Sequence, residues 1–244
     1  MNADITIDRG NSGIKVAVWT PDGGMRVLTE LRKQPLAEIL ASIGDYNIGT
    51  AVYCSVVPSR RGSDLEILAH RAGSVIEFSP GMKDLPLKSD YAPTLGADRM
   101  AAALGALAIY GKGSDILIAD IGTAATYDHV DPSGHFTGGN IAPGIKLRLE
   151  SLARHTSLPK VDPDSCTSAG LLGTDTTSAM YLGAVGGIAA EIEYYRSRIG
   201  AQTRVILTGG SSLTMARSGL IAGEYTVEPD LIHIGLHHLA VNAL

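Results

Sequence analysis

The chain has 244 residues, enough for one large domain or two smaller ones with separate cores. Hydrophobic residues make up 45% and charged residues 18%, which excludes a disordered chain, and the net charge of -5 gives no basic footprint for nucleic acid. Two distant cysteines, Cys54 and Cys166, exclude a disulfide scaffold or a four-cysteine zinc site, and no apolar run approaches the roughly 20 residues a membrane helix needs.

The chain opens "MNADITIDRG", acidic and directly strand-like, without the pattern of a signal peptide. A soluble, cytoplasmic protein with neither a nucleic-acid nor a membrane partner is expected. Two stretches then follow one plan. "ITIDRGNSGIKVAVW" and "ILIADIGTAATYDHV" each run apolar residues into an Asp, skip one position, place a Gly and return to apolar residues. After Asp8 come the strand "IKVAVW", the turn "TPDGG" and the strand "MRVLTE"; after Asp120 come "TYDHV", "DPSGH" and "FTGGNIA". Pro and Gly supply the fixed and the positive φ values that such reversals need. Each copy reads as a three-stranded antiparallel meander entered through an Asp-x-Gly turn.

In the first half "PLAEILASIG" predicts a helix, "GTAVYCSVV" a buried strand, and "GSDLEILAHRAG" a helix capped by Ser63 and stopped by Gly73. "RMAAALGALAIY" is a strong helix ending in the Gly-rich link "YGKGSD". In the second half "SAMYLGAVGGIAAEIEYYRSRIG" predicts a long helix, "TRVILTGG" a buried strand, and "PDLIHIGLHHLAVNAL" a closing helix. The repeated order predicts an α/β protein of two similar domains, residues 1–112 and 113–244, facing each other across a cleft.

A turn aspartate is charged at pH 7 unless strongly buried, and glycine two positions on lets the backbone bring its N–H groups close to a ligand. Consecutive N–H groups of this kind make an anion-binding concavity, to which the hydroxyl of Ser12 or Thr123 adds a donor. The carboxylate repels phosphate, so its task would be to hold a cation that bridges to it. Lys15, in the first copy only, could add positive charge. Taken singly, each turn is also explained by Asp capping its own hairpin; the pairing favours a phosphate-chain site.

Other features leave two readings open. Asp98, at the start of a strong helix, is either a cap or a carboxylate able to align a hydroxyl and accept its proton. Arg99 beside it is either a surface arginine or a partner for a carboxylate or phosphoryl group. "LTGG" is a simple turn or a bare-backbone face for adenine, and Gly183 and Gly187 mark a close helix contact in the core or in an interface. "GALAIYGKG" is not a P-loop: five residues separate its glycines where four are needed, and Gly113 follows Lys112. His233 and His237 lack the Glu-x-x-His context of a zinc site, and no serine, histidine and aspartate arrangement stands out for nucleophilic catalysis.

With these motifs in hand, the chain resembles the acetate and sugar kinase, Hsp70 and actin superfamily, and more closely the type III pantothenate kinases. The resemblance rests on "DRGNSGIK" (8–15), "YAPTLGADR" (91–99), "DIGTAATYD" (120–128), "GGNIAPG" (138–144), "TTSAMYLG" (176–183), "TGG" (208–210) and "PDLIHIGL", in order over nearly the whole chain. It departs at Arg9, where a small apolar residue is usual, and at Asp175, where Asn is common. The resemblance implies two ribonuclease H-like (actin-like ATPase) domains with an interdomain cleft. It also implies phosphorylation of pantothenate by ATP, the first step of coenzyme A biosynthesis.

Residue by residue, it implies a first phosphate loop of Asp8, Arg9, Gly10, Asn11, Ser12, Gly13, Ile14 and Lys15, with Asp8 oriented toward the Mg2+ on ATP. Asp120 would bind a monovalent cation, K+ or NH4+, and Thr123 would contact the ATP phosphates. Tyr91, Gly96, Ala97, Asp98 and Arg99 would line the pantothenate site with Asp98 as proton acceptor, and Thr176 would reach pantothenate from the partner subunit of a homodimer. The same family includes non-catalytic transcription accessory factors, and the superfamily includes sugar kinases and polyphosphate phosphatases; retention of Asp8, Asp98, Arg99 and Asp120 together favours the kinase.

Overall fold

A computed structural model of the chain describes residues 2–31, 35–44, 46–83, 85–166 and 170–242. It divides into two compact units, Met1–Gly111 with Asp230–Leu244, and Lys112–Pro229. The closing helix therefore belongs with the first unit, whereas the sequence reading ended that domain at residue 112 and assigned the helix to the second.

The first unit begins with β1 (Asn2–Arg9), β2 (Gly13–Trp19) and β3 (Met25–Leu31), then α1 (Leu36–Ser42), β4 (Asn47–Ser55), α2 (Pro58–Arg71), β5 (Ala72–Glu77), the short β6 (Lys88–Ser89) and α3 (Ala97–Tyr110). The second contains β7 (Ile116–Ile121), β8 (Ala124–Val130), β9 (His135–Pro143), α4 (Ile145–His155), α5 (Thr176–Ile199), β10 (Arg204–Thr208), α6 (Ser212–Ser218) and β11 (Thr226–Val227). Helix α7 (Leu231–Asn242) closes the chain.

In the first unit five strands lie in the order β3-β2-β1-β4-β5, with the meander antiparallel and β4 and β5 parallel to β1. In the second the order β9-β8-β7-β10-β11 repeats this, with the same two antiparallel and two parallel pairings. The repeat seen in the sequence is thus a repeat of topology, and Asp8 and Asp120 are the penultimate residues of the equivalent strands β1 and β7.

Strand alternation assigns the faces of the first sheet. Ile5 and Ile7 of β1 join Val16, Val18 and Tyr53 in a core completed by Leu36, Ile39, Leu40 and Leu68 from α1 and α2. Thr6 and Asp8 lie on the other face, toward α7, where the Thr6 hydroxyl is 2.9 Å from Nδ1 of His233 and accepts the indole N–H of Trp19 at 3.0 Å. Trp19 in turn stacks on His237 with ring centroids 3.9 Å apart. Helices α3 and α7 meet through bare backbone: a Cβ on Gly105 would lie 2.2 Å from the Leu231 carbonyl oxygen, and one on Gly235 2.0 Å from that of Ala101. These long-range contacts fix α7 to the first unit. The segment that mimics a P-loop owes its first glycine to that helix contact.

The core of the second unit is built by Leu117, Ala119 and Ile121 of β7 against α4, α5 and α6, with Ile145, Leu149, Val185, Ile188 and Met215 buried among them. Helix α5 starts in a capping box: the Asp175 carboxylate accepts the Ser178 N–H at 3.0 Å, and the Ser178 hydroxyl accepts the Asp175 N–H at 3.1 Å. The Ser178 hydroxyl, which donates to the Asp175 carboxylate at 2.7 Å, and then the Ser178 N–H hold the Asp175 carboxyl below its usual range. The residue that departs from Asn is thus an effective cap. On the same helix Gly187 makes room for the Arg148 guanidinium, which binds Glu191 at 2.7 Å, while nothing lies within 4 Å of a Cβ built on Gly183. Within this unit the small-residue pair is therefore no tight helix contact.

Two local expectations change. Helix α2 starts with Pro58 in its first turn, not at Ser63, whose hydroxyl instead donates to the Arg60 carbonyl at 2.9 Å inside the helix. Gly73 does not stop a helix but lies in β5, a strand that the sequence reading did not foresee.

Candidate active site

Asp8 is the penultimate residue of β1, and its ladder partners are Lys15 across β2 and Cys54 across β4. Burial raises its carboxyl to about 6, with the charge of Asp98 adding to the rise and that of Lys15 opposing it. Asp8 and Asp98 are therefore close enough to compete for ionisation. The Cys54 thiol is fully buried, and burial followed by these two carboxylates pushes it well above its ordinary value, so it stays protonated and is no nucleophile.

Asp98 is the second residue of α3. Gly96 is the N-cap, in extended conformation, and the Asp98 carboxylate accepts the Arg99 N–H at 2.8 Å. A Cβ on Gly96 would lie 2.4 Å from Asp98 Oδ1, so the glycine before the helix clears the space that the carboxylate occupies. Burial raises the Asp98 carboxyl, partly offset by the Arg99 amide and guanidinium. A raised carboxyl is the better proton acceptor once ionised. Arg99 is buried at 7% exposure; its Nη1 reaches the Tyr91 hydroxyl at 3.4 Å, and its guanidinium carbon lies 5.3 Å from the Tyr91 ring centroid. It is no surface arginine. The first unit thus brings together Asp8, Lys15, Asp98, Arg99 and Tyr91, while the turn residues Asn11 and Ser12 between β1 and β2 are exposed.

The Arg9 side chain lies elsewhere. Like Ile5 and Ile7 it points to the α1–α2 face, where it pairs with Asp64. Sequence reasoning overlooked that partner, though strand alternation already separates Arg9 from Asp8.

In the second unit, Asp120 pairs with Thr126 of β8 and Thr208 of β10. The "TGG" segment packs directly on it: a Cβ on Gly209, whose φ is +84°, would lie 2.2 Å from Asp120 Oδ1. Gly209 is required both by its left-handed backbone and by the carboxylate beneath it. The carboxylate is half-buried and its ladder neighbours are threonines, residue types whose oxygens hard cations accept, with the Thr126 hydroxyl donating to Asp128 at 3.2 Å. Thr123 is exposed in the adjoining turn, and Thr176 is exposed as the first residue of α5. A cavity of about 910 Å³ also opens beside α4, but its lining, from Lys146 to Asp164, contains none of the residues nominated from sequence.

Among the described residues no cluster of three or more His, Cys, Asp or Glu side chains forms a metal cage, and no helix is long and apolar enough to cross a membrane. A divalent ion at Asp8 would share its coordination with ligand phosphates and water, as Mg2+ does in nucleotide sites. The crowding of Asp8 and Asp98 suits such a cation, which would relieve it.

Among solved structures, the chain is similar to a Campylobacter jejuni protein assigned to the Baf family of transcriptional activators, with a TM-score of 0.64, 20% identity and 98% of each chain covered. It is also similar to an archaeal actin homolog, with a TM-score of 0.53, 12% identity, and 99% of this chain and 100% of the other covered. These likenesses show the fold alone: two ribonuclease H-like units of the actin-like ATPase type. A Porphyromonas gingivalis type III pantothenate kinase is 32% identical over 244 residues, covering 98% of both chains. The sequence model of the type III pantothenate kinase family matches residues 5–198. The chain belongs to the type III pantothenate kinase family.

Proposed function

We propose that this protein transfers the γ-phosphoryl group of ATP to the primary hydroxyl of pantothenate, giving 4'-phosphopantothenate and ADP at the start of coenzyme A biosynthesis. The observation that carries the reading is the convergence of Asp8, Lys15, Asp98 and Arg99 in a chain of this family. The bond between the γ-phosphorus and the bridging oxygen of ADP breaks as a bond to the pantothenate hydroxyl oxygen forms, and the hydroxyl proton passes to Asp98. Phosphoryl transfer asks for positioning and charge stabilisation more than covalent help, and these side chains supply both.

In this reading the amides and hydroxyl of residues 10–13 hold phosphate oxygens, Lys15 offsets their charge and Asp8 faces the Mg2+ carried by ATP. Asp120 holds K+ or NH4+, and Thr123 contacts phosphate. Tyr91, Gly96, Ala97 and Arg99 line the pantothenate site, with Arg99 placed to pair with an anionic group. Thr176 completes it from the partner subunit of a homodimer, and the enzyme works in the cytoplasm. Bound Mg2+ and the monovalent cation supply charge neutralisation on the phosphates.

A transcription accessory role is the weaker reading, since only a fold-level likeness at 20% identity points to it. The test is a coupled assay of ADP release with and without pantothenate. Pantothenate-dependent release is expected; release independent of pantothenate would indicate a phosphatase, and no release would indicate a binding protein.

A further inference from the structure

Arg9 sits where β1 passes into the 10–13 segment, and its backbone carbonyl accepts the Val56 N–H at 3.1 Å just beyond β4. Its side chain crosses to α2. Nη2 donates to Asp64 Oδ1 at 3.0 Å, and Nε lies 2.5 Å from Asp64 Oδ2 as an ion contact without hydrogen-bond alignment. The second oxygen is also held from β4, by the Tyr53 hydroxyl at 2.9 Å. Asp64 is 3% exposed and Tyr53 fully buried, so this is an enclosed junction of β1, β4 and α2 and not a surface ion pair. Burial raises the Tyr53 hydroxyl to about 12, which keeps it a donor at any working pH.

We propose that Arg9, Asp64 and Tyr53 form a positioning clamp, centred on Asp64, that fixes the end of β1 and thereby the 10–13 loop in its nucleotide-binding shape. Arg9 is then a positioning residue that acts from the face opposite Asp8, and its charge serves the loop indirectly. The inference rests on the reading that this loop takes nucleotide phosphates. A short turn with exposed tips takes much of its rigidity from the strand ends that carry it. At one of those ends the chain has placed a largely enclosed guanidinium whose ion-pair partner among the described residues is Asp64, so removing Asp64 should unseat the strand end along with the pair.

The experiment measures the Kd of Mg·ADP by calorimetry on the full chain for wild type, Asp64→Ala, Asp64→Asn, Arg9→Ala and the Asp64→Ala/Arg9→Ala double variant, with thermal melts and pantothenate KM alongside. Asp64→Ala should weaken Mg·ADP about tenfold while pantothenate KM stays within about twofold, a split that general destabilisation does not produce. Asp64→Asn, which keeps shape and an acceptor oxygen, should weaken it about two- to threefold and decides the matter if the alanine variant does not fold. In the Arg9→Ala background Asp64→Ala should add less than about twofold, because the two act as one unit. A nucleotide Kd unchanged in both Asp64 variants, or an equal Asp64→Ala effect with and without Arg9, overturns the clamp. A wild type that binds Mg·ADP but releases no ADP with pantothenate overturns the kinase reading and leaves the clamp to the Kd series; a wild type that binds no nucleotide overturns both.

Discussion

The turns at Asp8 and Asp120 occupy the same place in two copies of one topology, yet their surroundings differ. Asp8 has a lysine across one ladder, a buried thiol across the other and a second carboxylate near enough to raise it to about 6. The ladder partners of Asp120 are two threonines, and a glycine backbone presses on its carboxylate. The same strand-and-turn frame occurs twice, and the residue types at the paired ladder positions make the surroundings of the two aspartates differ. The first copy is the more charge-dense of the two, and under the proposed function it would face the divalent ion and the proton transfer while the second would hold the monovalent ion.

If that contrast is right, the two aspartates should not be equivalent in kinetics. Asp8→Asn should lower kcat/KM for ATP by about a thousandfold, and Asp120→Asn by about ten- to a hundredfold. Steady-state kinetics at saturating pantothenate measure both, and a larger loss at Asp120 would reverse the assignment. The second copy can be probed without touching its carboxylate. Gly209→Ala must displace Asp120, so activity should fall about tenfold and the preference for K+ over Na+ should shrink; equal wild-type rates in the two salts would remove the cation role.

Proton competition sharpens the contrast further. With the Asp8 carboxyl near 6 in the free protein, Mg2+ should bind with little pH dependence above about pH 7 and weaken by up to about tenfold per unit below pH 6. Titrating Mg2+ dependence from pH 5 to 8 tests this, and Asp8→Asn should flatten the profile.

The smallest effect concerns stability. His233, buried against Thr6, is lowered from 6.5 to about 3, first by burial and then by the Lys15 charge. A depressed histidine contributes stability that is complete above the unfolded value and is lost as pH falls below 6.5. Between pH 7 and pH 5 the first unit should therefore lose about 2 kcal/mol, and His233→Gln should remove most of that dependence in denaturant titrations.

Much of this contrast is legible in the sequence, because it is local. Alternation, Asp-x-Gly and the turn prolines announce both meanders, and "GADR" before an alanine-rich run announces Asp98 at a helix start. What stays hidden is long-range or short. Strand β11 has two residues and offers no period to read. Helix α7 was assigned to the neighbouring half because chain order was the only guide, whereas its partners, Gly105 and Thr6, lie far back in the sequence. Arg9 reads as a loop residue by adjacency, although its parity with Ile5 and Ile7 already places it on the opposite face. Asp64 could not be paired with it before α2 was laid across β4.

The central claim is that the half-buried carboxylate at the start of α3 takes the proton of the acceptor alcohol. Its most direct test is single-turnover phosphoryl transfer by Asp98→Asn, with ATP and pantothenate affinities measured in parallel. The account predicts a transfer rate lower by about a hundred- to a thousandfold with both affinities within about threefold of wild type. A transfer rate equal to wild type would contradict it.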